Sequence, residues 1–100
     1  MDNKVILITG TNSGFGYLTA KGAAAKGHTV YAGMRNTTNR NAEKANELNG
    51  IENITVVEID VTHPTQVQSA IEGIIEKEGK LDVLVNNAGY YGGGITETFS

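Results

Sequence analysis

The 100-residue chain has no cysteine, no tryptophan, two phenylalanines and one proline. Without cysteine it can build neither a disulfide framework nor a thiolate metal site, which fits a reducing, cytoplasmic location. So few aromatic side chains leave a core of aliphatic residues and alanine. Positive charge is scarce too: eight lysines and arginines face eleven acidic residues, a net charge of −3. The basic side chains are scattered, with no stripe of the kind that binds nucleic acid, so no nucleic-acid partner is expected. No apolar run approaches the roughly 18 residues that suggest a membrane span, and no membrane partner is expected either. The opening, Met1 followed by DNK and then a strand-like run, lacks the basic start and apolar centre of a signal peptide. His28 and His63 stand 35 positions apart with no acidic or histidine neighbour at ligand spacing, so they read as surface residues and a metal site is not expected.

Glycine, by contrast, is plentiful, with thirteen residues. Three of them fall in the stretch TGTNSGFG, Thr9–Gly16, directly after the apolar run VILI. Inside regular structure a glycine costs about 0.5–1 kcal/mol relative to alanine, so the cluster needs a geometric reason.

The run KVILIT, Lys4–Thr9, is short, β-branched and bounded by glycine, which predicts a strand buried on both faces. Residues 14–26 change to alanine and lysine, with Phe15, Leu18, Thr19 and Gly22 at helical spacing and Gly27 as the stop. TVYAGM, Thr29–Met34, predicts a second strand, and the polar 37–48 with Ala42, Ala45 and Leu48 a short surface helix. NITVVEIDV, Asn53–Val61, predicts a third strand. Pro64 suits a first helical turn, and Val67, Ala70, Ile71, Ile74 and Ile75 form an apolar stripe that ends near Gly79. LDVLVN, Leu81–Asn86, predicts the fourth strand. This alternation means βαβ units and the α/β class: a partial, Rossmann-like doubly wound parallel sheet of strand order 3-2-1-4. Its topological switch point lies between strands one and four, where the carboxyl ends Thr9-Gly10 and Asn86-Asn87 meet.

At that crevice Gly10 would let the chain turn sharply off the strand. Gly14 would let backbone approach a bulky anion, and Gly16 would let the helix sit close to the sheet. The helix start offers unpaired N–H groups and partial positive charge, and Thr11, Asn12 and Ser13 add side-chain donors. A pyrophosphate is the natural occupant. No Gly-Lys-Ser/Thr follows, so a Walker phosphate loop is excluded.

Thr9-Gly10-x-x-x-Gly14-x-Gly16, then Asp60-Val61, then Asn86-Asn87-Ala88-Gly89, in that order, resemble the short-chain dehydrogenase/reductase family over essentially the whole chain. The resemblance implies a Rossmann fold and a nicotinamide dinucleotide used to oxidise alcohols or reduce carbonyls, with a small-molecule alcohol or carbonyl substrate. It implies that Gly10, Ser13, Phe15 and Gly16 lie along the pyrophosphate and ribose, with Asn12 and Gly14 in the same turn. Asp60 would accept from the adenine amino group while the Val61 backbone meets the ring. Asn87, Ala88 and Gly89 would border the ribose on the nicotinamide side, with Asn86 tying the fourth strand to its neighbours. Phe15 stands where the family usually has isoleucine or leucine.

An NAD-preferring Rossmann site ends its second strand with Asp or Glu, which binds the ribose 2′-hydroxyl. Here that place holds Met34, followed by Arg35. Methionine cannot accept a hydroxyl proton, whereas arginine can grip a 2′-phosphate with two N–H groups and stack on adenine. NADP(H) is therefore expected over NAD(H), with Arg35 as the discriminating residue and Asn36 as a helper.

Hydride transfer also needs a proton donor or acceptor at the substrate oxygen. In the family this is a Tyr-x-x-x-Lys pair with an upstream serine and an asparagine, all in the second half of the fold. Of the four tyrosines here, only Tyr17 has a lysine four positions on, Lys21. That pair falls in the first helix, at the wrong end for the nicotinamide, and is expected to face solvent. No catalytic residue is assigned. Residues 1–100 thus read as an incomplete NADP-binding half-domain of an oxidoreductase, inactive alone, whose catalytic half would follow residue 100. The fourth strand would then be an exposed edge, prone to aggregation. ITETFS reads as the approach to a further helix, and Tyr90-Tyr91-Gly92-Gly93-Gly94 as a flexible loop. A non-catalytic dinucleotide-binding or sensor module is the alternative. A methyltransferase would want an acidic residue ending strand two, against which Met34-Arg35 speaks. The full-length protein could form a homo-oligomer.

Overall fold

The computed structural model describes residues 3–11, 14–35 and 37–86, together with the backbone of 95–98. Strand β1 (Val5–Thr9) leads into helix α1 (Gly14–Ala25), then β2 (Thr29–Met34), α2 (Ala42–Asn49), β3 (Ile54–Glu58), α3 (Pro64–Glu78) and β4 (Val83–Asn86). A fifth strand, β5 (Ile95–Thr98), follows. The sheet order is β3-β2-β1-β4-β5. Pairing is parallel among the first four and antiparallel between β4 and β5.

Every residue of β1 is buried, because both faces of the sheet are covered. Ile6 and Ile8 join Val30, Ala32, Met34 and Ile54 beneath Ala20 and Ala24 of α1 and Ala45 and Leu48 of α2. The alternate residues, Val5 and Leu7, face the other way with Tyr31, Ile59 and Leu81, beneath Ile74 of α3. Fully burying one such leucine or isoleucine contributes roughly 1.5–3 kcal/mol, so this central strand anchors both layers.

Helix α1 does not bury the residues that stand at helical spacing, Phe15, Leu18, Thr19 and Gly22. Its buried face is Gly16, Ala20 and Ala24, four residues apart. Phe15 and Leu18 point outward, 69 % and 65 % exposed. Only small side chains fit where the helix lies against the sheet, so the bulky ones are turned away. Helix α2 starts five residues later than expected, at Ala42, after turns over 37–40, and β3 is trimmed to Ile54–Glu58. Helix α3 has Pro64 in its first turn and ends at Gly79, whose φ of 84° closes the helix with its N–H donating to the Ile75 carbonyl at 2.7 Å.

Polar ties lock the amino end of the sheet. The Val5 N–H donates to Asp82 Oδ2 at 2.8 Å, and the Asp82 N–H donates back to the Val5 carbonyl at 2.9 Å. That bond, aided by Lys80 3.1 Å away, holds the Asp82 carboxyl below the usual range. On the α3 side, Tyr31 donates its phenol proton to Glu78 Oε2 at 2.5 Å. Burial, reinforced by Glu78, pushes that phenol up to about 12.

The expected exposed edge at β4 is corrected. Val83, Leu84, Val85 and Asn86 pair with Thr98, Glu97, Thr96 and Ile95, so 95–98 is a strand and not the approach to a helix. The segment ITET is rich in β-branched residues, which favour a ladder position over a helix start. At the other margin, two N–H groups of β3 are bonded outside the sheet: Ile54 to the Ile51 carbonyl and Val56 to Asn49 Oδ1, both at 3.1 Å. Among the described residues, no helix is long and apolar enough to cross a membrane.

Candidate functional site

The parallel register sets Thr9, the last residue of β1, beside Asn86, the last of β4. The Thr9 hydroxyl donates to Asn86 Oδ1 at 2.9 Å. Helix α1 packs on one face of the sheet and α3 on the other, which makes this junction the topological switch point expected between strands one and four. Gly10 leaves β1 with φ of 69°, a left-handed conformation that glycine adopts without a Cβ clash.

Thr11 comes next and corrects one expectation. It is fully buried, and both its N–H and its hydroxyl donate to the Gly33 carbonyl at 3.1 Å. The side chain therefore ties the turn to β2 and does not reach toward a ligand. Asn12 and Ser13 lie outside the described residues. Helix α1 opens at Gly14, which is exposed, and a Cβ built there would meet nothing within 4 Å. Phe15 projects to solvent at the same end, while Gly16 is buried against the sheet. The first-turn N–H groups have no partner within the helix, and no acidic side chain occupies that turn. Its partial positive charge is thus undiminished by the helix's own residues.

At the end of β2 the two residues weighed for cofactor preference part company. Met34 is packed into the core under α1 and α2, whereas Arg35 is exposed. The Arg35 carbonyl accepts a hydrogen bond from Asn41 Nδ2 at 2.5 Å. Asn36 lies outside the described residues. Thr37 donates its hydroxyl proton to Glu58 Oε1 at 2.7 Å, fastening the same loop to β3.

Two residues past β3, Asp60 organises its own turn. Its Oδ1 accepts from the Thr62 hydroxyl at 2.6 Å and the Thr62 N–H at 3.0 Å, and its N–H donates to Gln66 Oε1 at 2.9 Å. The bond from the Thr62 hydroxyl, then that from its N–H, lowers the Asp60 carboxyl; His63 and Arg35 add smaller attractions against an opposing desolvation. His63 Nε2 stands 3.7 Å from Asp60 Oδ2, so the expectation that this histidine lacks an acidic neighbour is corrected. Still, no three His, Cys, Asp or Glu side chains among the described residues could hold a metal together. Val61 packs half-buried into the α3 layer. Asn87, Ala88 and Gly89 lie outside the described residues, as do Tyr90 to Gly94.

Tyr17 and Lys21 are corrected as well. Rather than facing solvent, Tyr17 is half-buried between α1 and α2, hydrogen-bonded to Glu47. Lys21 Nζ donates to its hydroxyl at 3.3 Å, and Lys44 Nζ sits 4.1 Å from its ring centroid. The pair is an inter-helix brace. A groove of about 660 Å³ beside it, lined by Lys21, Ala24, Glu47 and Asn53 among others, includes none of the described residues of the glycine turn.

Gly33, Thr37, Asn41, Glu58 and Thr62 were missed as parts of this end of the sheet. Gly33 carried a signal, since glycine inside a strand marks a close approach. The other four look like ordinary polar loop residues until the loops are folded.

The family model for short chain dehydrogenases matches residues 4–100. A 3-ketodihydrosphingosine reductase of Bacteroides thetaiotaomicron is 38% identical over 97 residues, 97% of this chain and 32% of that protein. Among solved structures, a short-chain dehydrogenase from Streptomyces avermitilis superposes with a TM-score of 0.72 at 30% identity, covering 83% of this chain and 30% of that one. A 3-ketoacyl-(acyl-carrier-protein) reductase from Brucella melitensis complexed with NADH gives 0.68 at 36% identity, covering 83% and 33%. The chain spans between 27% and 36% of the length of the first curated relatives it matches. With the glycine turn at the junction of β1 and β4, and a family match that runs from Lys4 to the last residue, the chain belongs to the short-chain dehydrogenase family of oxidoreductases.

Proposed function

We propose that this chain binds the adenosine and pyrophosphate portion of NADP(H) and forms the cofactor-binding part of an oxidoreductase acting on a small-molecule alcohol or carbonyl compound. What supports this is the exposed Arg35 at the carboxyl end of β2, on the same sheet end as the Gly10 turn and the start of α1. The donor set suits the group: backbone N–H groups for a pyrophosphate, an open Gly14 where bulk would block it, and a guanidinium for a further phosphate.

When bound, the nicotinamide supplies or takes up the hydride. The chain's own residues bind and orient. Gly10, Asn12, Ser13, Gly14, Phe15 and Gly16 hold the pyrophosphate and its ribose, and Arg35 with Asn36 grips the 2′-phosphate. Asp60 and Val61 border the adenine, and Asn87, Ala88 and Gly89 border the nicotinamide ribose. One Asp60 oxygen is already engaged by Thr62, so the other, Oδ2, is the acceptor for the adenine amino group. Because Tyr17 and Lys21 are committed between α1 and α2, they donate no proton to a substrate.

The test is a calorimetric titration of wild type and Arg35→Ala with NADP⁺ and with NAD⁺. Loss of a hydrogen bond to a charged group is worth about 1.5–3 kcal/mol, so NADP⁺ should weaken by roughly ten- to a hundredfold while NAD⁺ is unmoved. An unchanged ratio of the two affinities rejects the assignment of Arg35.

A further inference from the structure

Asn41 stands at the start of α2, where an asparagine normally turns its side-chain oxygen back onto the first N–H groups of its helix. Here it makes no such bond. Its Nδ2 donates instead to the carbonyl of Arg35, six residues earlier. Within the loop that this bond closes, Thr37 is tied separately, its hydroxyl donating to Glu58. The N-cap side chain is thus engaged in holding the peptide from which the exposed guanidinium departs.

We propose that Asn41 is a positioning residue for cofactor choice: by fixing the Arg35 carbonyl it sets the direction from which the guanidinium meets an adenosine 2′-phosphate. The inference rests on the reading above, in which Arg35 binds that phosphate. A two-pronged guanidinium contact depends on orientation, whereas simple charge attraction does not. Asn41 is neutral, so removing it alters geometry and leaves the charge of the site untouched. A cofactor with a 2′-hydroxyl makes no use of the contact and is indifferent to the change.

Asn41→Ala and Asn41→Gln, each in the wild-type and Arg35→Ala backgrounds, are titrated with NADP⁺ and NAD⁺ by calorimetry on the purified protein. Loss of one neutral hydrogen bond corresponds to about 3- to 10-fold, so Asn41→Ala weakens NADP⁺ by that factor and leaves NAD⁺ unchanged. Asn41→Gln, which keeps an amide donor, recovers part of the loss. In the Arg35→Ala background Asn41→Ala has no further effect on NADP⁺, because the residue acts only through the arginine. Equal weakening of both cofactors, no weakening of either, or an undiminished effect without Arg35 overturns the proposal while leaving Arg35's role intact. If Arg35→Ala itself spares the preference for NADP⁺, the underlying reading has failed and the proposal falls with it.

Discussion

Gly33→Ala probes how closely β1, β2 and the segment after β3 are packed at the functional end of the sheet. A Cβ at Gly33 would sit 3.0 Å from Ile59 Cδ1 and 3.3 Å from the Ile8 carbonyl oxygen. The oxygen belongs to the central strand and cannot withdraw. The Ile59 side chain is confined by Val5, Leu7, Tyr31, Ile74 and Leu81. Overpacking of this kind costs about 1–3 kcal/mol. Replacing glycine also restricts the unfolded chain, which returns about 0.4–1 kcal/mol. The net loss is roughly 1–2 kcal/mol, and at about 4–8 °C per kcal/mol for a domain of this size Tm falls by roughly 5–15 °C. Thermal and urea unfolding measure it directly. Ile59→Val removes the methyl group in the way and costs about 0.5–1.5 kcal/mol alone. Combined with Gly33→Ala it should cost less than the two separately, by roughly 0.5 kcal/mol or more. A Gly33→Ala protein as stable as its parent, or strict additivity in the pair, would refute the reasoning.

Two further expectations concern buried hydroxyls. The Tyr31 phenol is raised from its ordinary 10.0 to about 12, so the folded state keeps a proton that the unfolded chain gives up. Its contribution is complete below pH 10 and is lost as pH climbs from 10 to 12; the stability gap between wild type and Tyr31→Phe should close across that window in alkaline melts, and a constant gap would contradict the assignment. Thr11→Val removes a donor to the Gly33 carbonyl and should cost about 0.5–1.5 kcal/mol while leaving dinucleotide affinity unchanged. Weaker binding at unaltered stability would instead turn that hydroxyl toward the ligand.

Much of the architecture could be read from hydrophobic pattern because a parallel sheet covered on both faces leaves unbroken apolar runs. VILIT and TVYAGM, each ended by its glycine or arginine boundary, are the clearest. The order 3-2-1-4 followed from crossover handedness rather than from any single residue. What pattern alone misjudged was direction within an element. In α1 the helical spacing of Phe15 and Leu18 does not mark the inner face, because contact with the sheet selects smallness and favours Gly16, Ala20 and Ala24. The site divides in the same way. Gly10 is legible because backbone conformation selects glycine, whereas Thr11 looks like a ligand donor until β2 supplies the carbonyl it meets. Likewise the ties from Asn41 to Arg35 and from Thr37 to Glu58 join residues whose meeting depends on loop shape.

The two β3 N–H groups engaged by Ile51 and Asn49 have a consequence for behaviour at high concentration. A foreign strand docking along that margin would have to displace bonds already made within one molecule, with little enthalpy left to gain. Colloidal self-association through this side is thus discouraged by a single amide and one turn carbonyl. Asn49→Ala would free the Val56 N–H for a neighbour and lower the concentration at which the protein begins to scatter light.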